Sequence, residues 1–219
     1  MSSPIIKITG LRFGYPQGPE IIKGLDLEVS AETRLGLIGA NGSGKTTLLS
    51  LIMGIVKPMD GTIEILGRLC RKEADFREVR PRLGFVFQDA NDQLFCPTVA
   101  DDIAFGPLNL GYTPAQAKEI VEEVLNDLGL TGFGSRVTYD LSGGEKKLVS
   151  LGTALALRPK MLILDEPTTF LDETAVARLE KVLAAQALPR IIVSHDRDFL
   201  ERVTTSRLMM TGGILRPAP

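Results

Sequence analysis

Positions 39–46 read GANGSGKT and match the glycine-rich phosphate-binding pattern G-x-x-x-x-G-K-[ST] in full. Gly39, Gly42 and Gly44 permit a loop whose backbone N–H groups all turn inward, toward an anion. An apolar strand, 34–38, precedes the loop and an apolar helix, 47–53, follows it. The helix begins near Lys45, so its positive dipole end joins the same anion site. Lys45 is a point charge for the β- and γ-phosphates, and the Thr46 hydroxyl is a ligand for Mg²⁺. Thr47 reaches a further phosphate oxygen. The candidate nucleotide-phosphate ligands along this loop are therefore Gly39, Asn41, Gly42, Ser43, Gly44, Lys45, Thr46 and Thr47.

A second element, MLILDEP at 161–167, reads as a buried strand that ends in two carboxylates. Carboxylates beside a buried strand end need compensation. Mg²⁺ supplies it for Asp165, which resembles the Walker-B aspartate that holds the metal. Glu166 is then placed to accept a proton from the attacking water, a role typically worth ~10²–10⁴ in rate. The other reading of this pair is a strand-end cap for the next helix. Both elements recur in kinases and switch GTPases, so they establish nucleotide use without saying what hydrolysis accomplishes.

More selective is 141–147, LSGGEKK, with which the chain resembles the ATP-binding-cassette (ABC) ATPases, whose signature is LSGGQ or LSGGE. Ser142, Gly143 and Gly144 open a helix and make a second N-terminal anion site. In that family the signature of one subunit closes over ATP held by the phosphate loop of another. The resemblance therefore implies two chains per working unit, as a homodimer or a heterodimer. Other family landmarks follow in order. Tyr15, in FGYP, matches the aromatic that stacks on adenine, a core or turn tyrosine being the alternative. Gln88 matches the glutamine that senses Mg²⁺ and the attacking water, unless it merely caps a loop. Asp172 matches an aspartate of the dimer interface, although the preceding TTF departs from the commoner SAG or TSG wording. His195, the only histidine, follows an apolar strand and matches the switch histidine that contacts the γ-phosphate.

The run 85–111, FVFQDANDQLFCPTVADDIAFGPLNLG, is similar to ATPase subunits of energy-coupling-factor transporters. That branch implies import of cobalt, nickel or a vitamin such as biotin, by a complex on the cytoplasmic face of the membrane. Its expected partners are a second ATPase subunit, a transmembrane coupling protein and a membrane substrate-binding protein.

Positioning these residues requires a sheet covered by helices, so the fold class is α/β. Strands are predicted over 5–9, 25–29, 34–38, 62–66, 83–87, 161–164 and 190–194, several of them bounded by glycine. The best-defined helix opens at Thr113, with Pro114 in its first turn and Gln116 completing a capping box, and stops before Gly129. Its apolar face is Ala117, Ile120, Val121, Val124, Leu125 and Leu128. Another helix is expected after Asp172, with Val176, Leu179 and Leu183 facing inward. The resemblance adds a P-loop NTPase of the ABC type. It implies a RecA-like core sheet, an antiparallel β subdomain and a helical signature subdomain at about 90–155, all within one ATP-binding domain, 1–219. Only 24 residues follow His195, so no C-terminal extension domain is expected.

Composition narrows the alternatives. Hydrophobic residues make up 44% of the 219 and charged ones 24%, which places the chain among globular proteins. The net charge of −2 provides no field for nucleic acid, and the basic stretch 68–82 reads as solvated surface. Two cysteines without CxxC spacing suggest neither a metal knuckle nor a disulfide framework. No run is long enough to span a membrane, so any membrane must come from a partner. Two rivals remain beside the transporter. A soluble ABC ATPase acting on DNA or ribosomes usually carries long insertions, and a P-loop kinase would lack LSGGE and the histidine.

Overall fold

The computed structural model describes residues 4–218, folded as two compact units. One runs to Pro81 and resumes at Leu188, and the other is Arg82–Ala187.

The first unit opens with β1 (Ile6–Gly14), β2 (Glu20–Val29), β3 (Arg34–Ile38), α1 (Lys45–Ile52), β4 (Asp60–Ile65), β5 (Arg68–Leu69) and α2 (Glu73–Val79). Four of these strands form an antiparallel sheet ordered β2-β1-β4-β5. Alternation decides which face is covered: Ile6, Ile8, Leu11 and Phe13 are buried while Lys7, Thr9 and Arg12 face out. The strands run past the glycines expected to end them. Gly10 and Gly24 sit at positive φ inside β1 and β2, where the β1–β2 register shifts, so they mark bulges rather than strand ends. The basic stretch is spent locally. Arg68 pairs with Glu78, and Arg80 pairs with Glu73 at 2.7 Å while donating to the carbonyls of Met53 and Gly54 beyond α1.

The second unit carries β6 (Leu83–Val86), α3 (Val99–Asn109), α4 (Pro114–Asp127), α5 (Gly143–Leu155), β7 (Met161–Asp165) and α6 (Glu173–Ala185). β6 and β7 pair in parallel, Leu83 opposite Met161 through Val86 opposite Leu164. Every residue of β7 is buried, which accounts for its unbroken apolar sequence. α4 starts with the expected Thr113–Gln116 capping box and buries the expected face. In α6 Leu179 and Leu183 are buried with Val182, whereas Val176 is half-buried.

On its return the chain completes the first unit with β8 (Arg190–Val193), α7 (Arg197–Val203), β9 (Ser206–Thr211) and β10 (Ile214–Pro217). β3 lies between β8 and β9, parallel to both, and β10 closes the edge antiparallel to β9. Among the described residues no helix is long and apolar enough to cross a membrane.

Candidate functional site

In the first unit the phosphate loop leaves the carboxyl end of β3, a buried strand with parallel neighbours on both sides, and feeds α1. Gly39 has φ 152, and a Cβ there would lie 2.6 Å from the Met210 carbonyl oxygen and 2.9 Å from Ser43 Oγ. Gly44 is the N-cap of α1 and has φ 105, and a Cβ there would be strained by that conformation and would displace the Ile21 and Met210 side chains. The loop thus takes a course only glycine can follow at these two points. Lys45 is buried, and its ammonium donates to the carbonyls of Gly39 (2.8 Å) and Ala40 (3.1 Å), so the cation lies in the concavity of its own loop. Thr46 is exposed and Thr47 buried. The buried Ser43 hydroxyl has no protein hydrogen-bond partner among the described residues, which leaves it for a ligand at the loop. A cradle shaped by glycines, a buried cation and an orphaned hydroxyl fits a polyphosphate.

Two further expected residues belong to this unit. His195 follows the fully buried β8 and is exposed; beside it Ser194 Oγ accepts from Asp196 N (3.1 Å), and Asp196 caps α7. Tyr15 opens a turn closed by Gly18 N to Tyr15 O at 2.9 Å. Its half-exposed ring stands edge-on to Phe13 with centroids 5.0 Å apart.

In the second unit Asp165 ends β7 at 2% exposure and Glu166 follows at 8% with φ 44. A left-handed glutamate beside a buried aspartate is a strained arrangement of the kind that persists at functional sites. Phe170, at φ 64 and 96% exposed, repeats the strain four residues on, just before Asp172 caps α6. The signature opens α5, as its sequence suggests. Ser142 is the N-cap, Gly143 and Gly144 form the first turn, and Ser142 and Glu145 make a reciprocal capping box. First-turn N–H groups lack intrahelical acceptors, so both glycines present donors at an open end. A Cβ on Gly144 would meet the Ala175 Cβ at 2.7 Å, so glycine also lets α5 approach α6. The Ser142 N–H, then the Arg136 guanidinium, holds the Glu145 carboxyl below its usual value.

Gln88 follows β6 with its side chain exposed. Three residues that sequence reasoning did not assign hold the backbone of this unit, two of them beside Gln88. Lys147, 3% exposed, donates to the carbonyls of Phe87 (3.1 Å) and Gln88 (2.7 Å), and burial pushes its ammonium pKa down, partly offset by Asp89 and Asp165. The Gln93 amide donates to Thr153 Oγ1 (2.7 Å) and the Ser150 carbonyl (2.9 Å), and accepts from Phe87 N (3.1 Å). Asp102, 3% exposed, accepts from Phe95 N, Cys96 N and the Thr138 hydroxyl at 2.9–3.0 Å. Sequence offered one signal: polar residues inside apolar runs, DQLF and KKLVSL.

A glycine-rich loop from a parallel strand into a helix, with paired carboxylates ending another buried parallel strand, defines a P-loop nucleotide-binding protein. Comparison with known proteins narrows this. The family model described as ABC transporter matches residues 22–169. A putative ABC transporter ATP-binding protein of Nitratidesulfovibrio vulgaris is 47% identical over 214 residues, covering 97% of this chain and 78% of that one. The energy-coupling factor transporter ATP-binding protein EcfA of Methanothermobacter thermautotrophicus is 38% identical over 215 residues, 96% of this chain and 69% of that one. The structure of cbiO1 from Clostridium perfringens, described as part of the ABC transporter complex cbiONQ, matches at a TM-score of 0.89. That match has 30% identity and spans 98% of this chain and 88% of that one. The chain belongs to the ABC transporter family and is its ATP-binding, ATP-hydrolysing component.

Proposed function

We propose that this ATPase powers an importer of the energy-coupling-factor type, for a transition metal ion such as cobalt or nickel or for a vitamin such as biotin. The observation that carries the reading is the likeness to EcfA over 96% of the chain, joined by the fold match to cbiO1. It would work as one of two ABC ATPase subunits, peripheral to the cytoplasmic face of the membrane. A transmembrane coupling protein and a membrane substrate-binding protein would complete the complex.

Each unit contributes residues to hydrolysis. From the first, the loop N–H groups of Gly39 to Thr47 hold the phosphates, Lys45 neutralises charge on the β- and γ-phosphates, Tyr15 stacks on adenine, and His195 orients the attacking water at the γ-phosphate. From the second, Glu166 accepts the proton of that water and Gln88 reports on its position. Thr46, Gln88 and Asp165 would hold Mg²⁺, an all-oxygen donor set suited to a hard cation. When bound, Mg²⁺ supplies neutralisation of the phosphate oxygens. Ser142, Gly143 and Gly144 present the open end of α5 to ATP on the partner subunit, which makes a pair of chains the active unit.

The test is an affinity pull-down of tagged protein from detergent-solubilised native membranes, with co-purifying chains identified by mass spectrometry. A polytopic coupling protein accompanied by a small membrane substrate-binder is the expected result. Recovery of ribosomal or DNA-bound partners alone would replace the importer with a soluble mechanical ATPase.

A further inference from the structure

The segment carrying Gln88 is fastened at several points to α5, the helix that begins with the signature. Lys146 Nζ donates to Asn91 Oδ1 at 3.0 Å. The next residue, Lys147, crosses to the carbonyls of Phe87 and Gln88, and about one and two turns of α5 later Ser150 and Thr153 receive the Gln93 amide. Gln93 also accepts from Phe87 N, so Phe87 is held at both its N–H and its carbonyl. All of these contacts lie inside the second unit.

Lys147 is the odd member of this set. A buried ammonium forfeits its hydration, and two neutral carbonyls return only part of it. Stability alone would be served at least as well by an apolar side chain of similar volume, since α5 is otherwise packed here by Leu148, Val149 and Leu151. The carbonyls that Lys147 holds fix the peptide planes on both sides of the Gln88 Cα, and with them the direction in which the Gln88 side chain leaves the backbone. That side chain is exposed and makes no hydrogen bond to a described residue, so its placement comes through its backbone.

We propose that Lys147 is a positioning residue for ATP hydrolysis, tying the backbone of Phe87 and Gln88 to the signature helix so that the place of the Gln88 amide is set by the helix that starts at Ser142. The proposal rests on the reading of Gln88 as part of the hydrolytic machinery. A displacement of the α5 end would be handed directly to Gln88, without passing through the strand that precedes it.

The experiment compares Lys147→Met, Lys147→Arg, Gln88→Ala and the double variant Lys147→Met/Gln88→Ala in the full chain. Steady-state hydrolysis of Mg·ATP gives kcat and KM separately, and mass-spectrometric amide exchange follows residues 87–93. In Lys147→Met we expect kcat to fall on the order of ten- to a hundredfold, the scale of a misplaced reacting group. KM should stay within about twofold, since the nucleotide ligands are untouched. Exchange over 87–93 should rise, Lys147→Arg should restore most of both, and in the Gln88→Ala background Lys147→Met should add little. If Lys147→Met does not fold, Lys147→Gln, whose shorter side chain cannot reach both carbonyls as the ammonium does, takes its place with the same expected loss of kcat. Unchanged kcat in Lys147→Met beside an impaired Gln88→Ala would overturn the proposal and leave Gln88 in place. Full additivity in the double variant would overturn it as well, because Lys147 would then act elsewhere. A Gln88→Ala variant with normal turnover would instead remove Gln88 from its role, and the positioning proposal with it.

Discussion

Substituting alanine at Gly39 and, separately, at Gly42 distinguishes two demands that the phosphate loop makes on glycine. Both residues have positive φ, 152 and 74 respectively, so a side chain is strained at either. Only Gly39 is also enclosed: its Cβ would sit 2.6 Å from the Met210 carbonyl, while nothing lies within 4 Å at Gly42. Met210 belongs to β9, pinned by β3 on one side and β10 on the other, so the obstructing atom is backbone that cannot swing aside. Gly42→Ala then carries conformational strain alone, about 1–2 kcal/mol. Gly39→Ala adds an overpacking penalty of about 1–3 kcal/mol to its own strain of similar size. Against a typical total stability of ~5–15 kcal/mol, that is a large fraction. Urea unfolding of the two variants gives the difference, and equilibrium binding of a fluorescent ATP analogue shows whether the loop still closes on phosphate. Gly39→Ala should be the less stable by roughly the overpacking term and should bind nucleotide more weakly than Gly42→Ala. Equal unfolding midpoints for the two would refute the reasoning, since the Met210 contact would then carry no energy.

Other consequences are as concrete. Lys45→Ala should abolish measurable nucleotide binding or hydrolysis, whereas Glu166→Gln should bind ATP and turn over ~10²–10⁴ times more slowly; near-normal turnover in the latter would remove Glu166 from its role as base. In Glu166→Gln, ATP should also convert monomer to dimer by light scattering, and a dimer independent of nucleotide would contradict ATP-driven dimerisation. Asp102→Ala strands two N–H groups and a hydroxyl, each worth about 1–3 kcal/mol when left unpaired, so an unfolding midpoint close to the parent's would show that water replaces the carboxylate. The depressed Glu145 carboxyl should contribute stability that is fully present above its ordinary value of 4.5 and is lost as pH falls through the lower folded value. Glu145→Gln should therefore flatten the acid limb of the stability profile, and an identical profile would reject the link.

How much of this was readable in advance depended on whether the controlling interaction is local. The phosphate loop, the α4 capping box and the buried β7 were legible because each is set by neighbours within a few positions. Gly10 and Gly24 misled because a left-handed glycine looks the same in sequence whether it ends a strand or bulges one, and only the partner strand decides. α3 escaped notice because Gly106 and Pro107 lie inside it and argue against a helix. The hairpin of β9 and β10 went unassigned as well, its strands only partly buried and joined by Gly212 and Gly213. At the candidate site, residue types with a fixed motif were visible, while Gln93, Lys147 and Asp102 were not. Their partners are backbone groups or a hydroxyl, some as far as 57–60 positions away, and nothing in the sequence records such a pairing.

The discontinuity of the first unit bears on how the protein is made. β3, which delivers the phosphate loop, has β8 and β9 as its only ladder partners among the described residues, and both are translated more than 150 residues after it. A nascent chain therefore carries the complete GANGSGKT sequence through most of its synthesis with no strand on either flank of β3. Arg82–Ala187, contiguous in sequence, can condense first, since contiguous units close shorter loops and form early. The order of translation thus leaves the GANGSGKT loop without the strands that flank β3 until the ribosome has delivered β9.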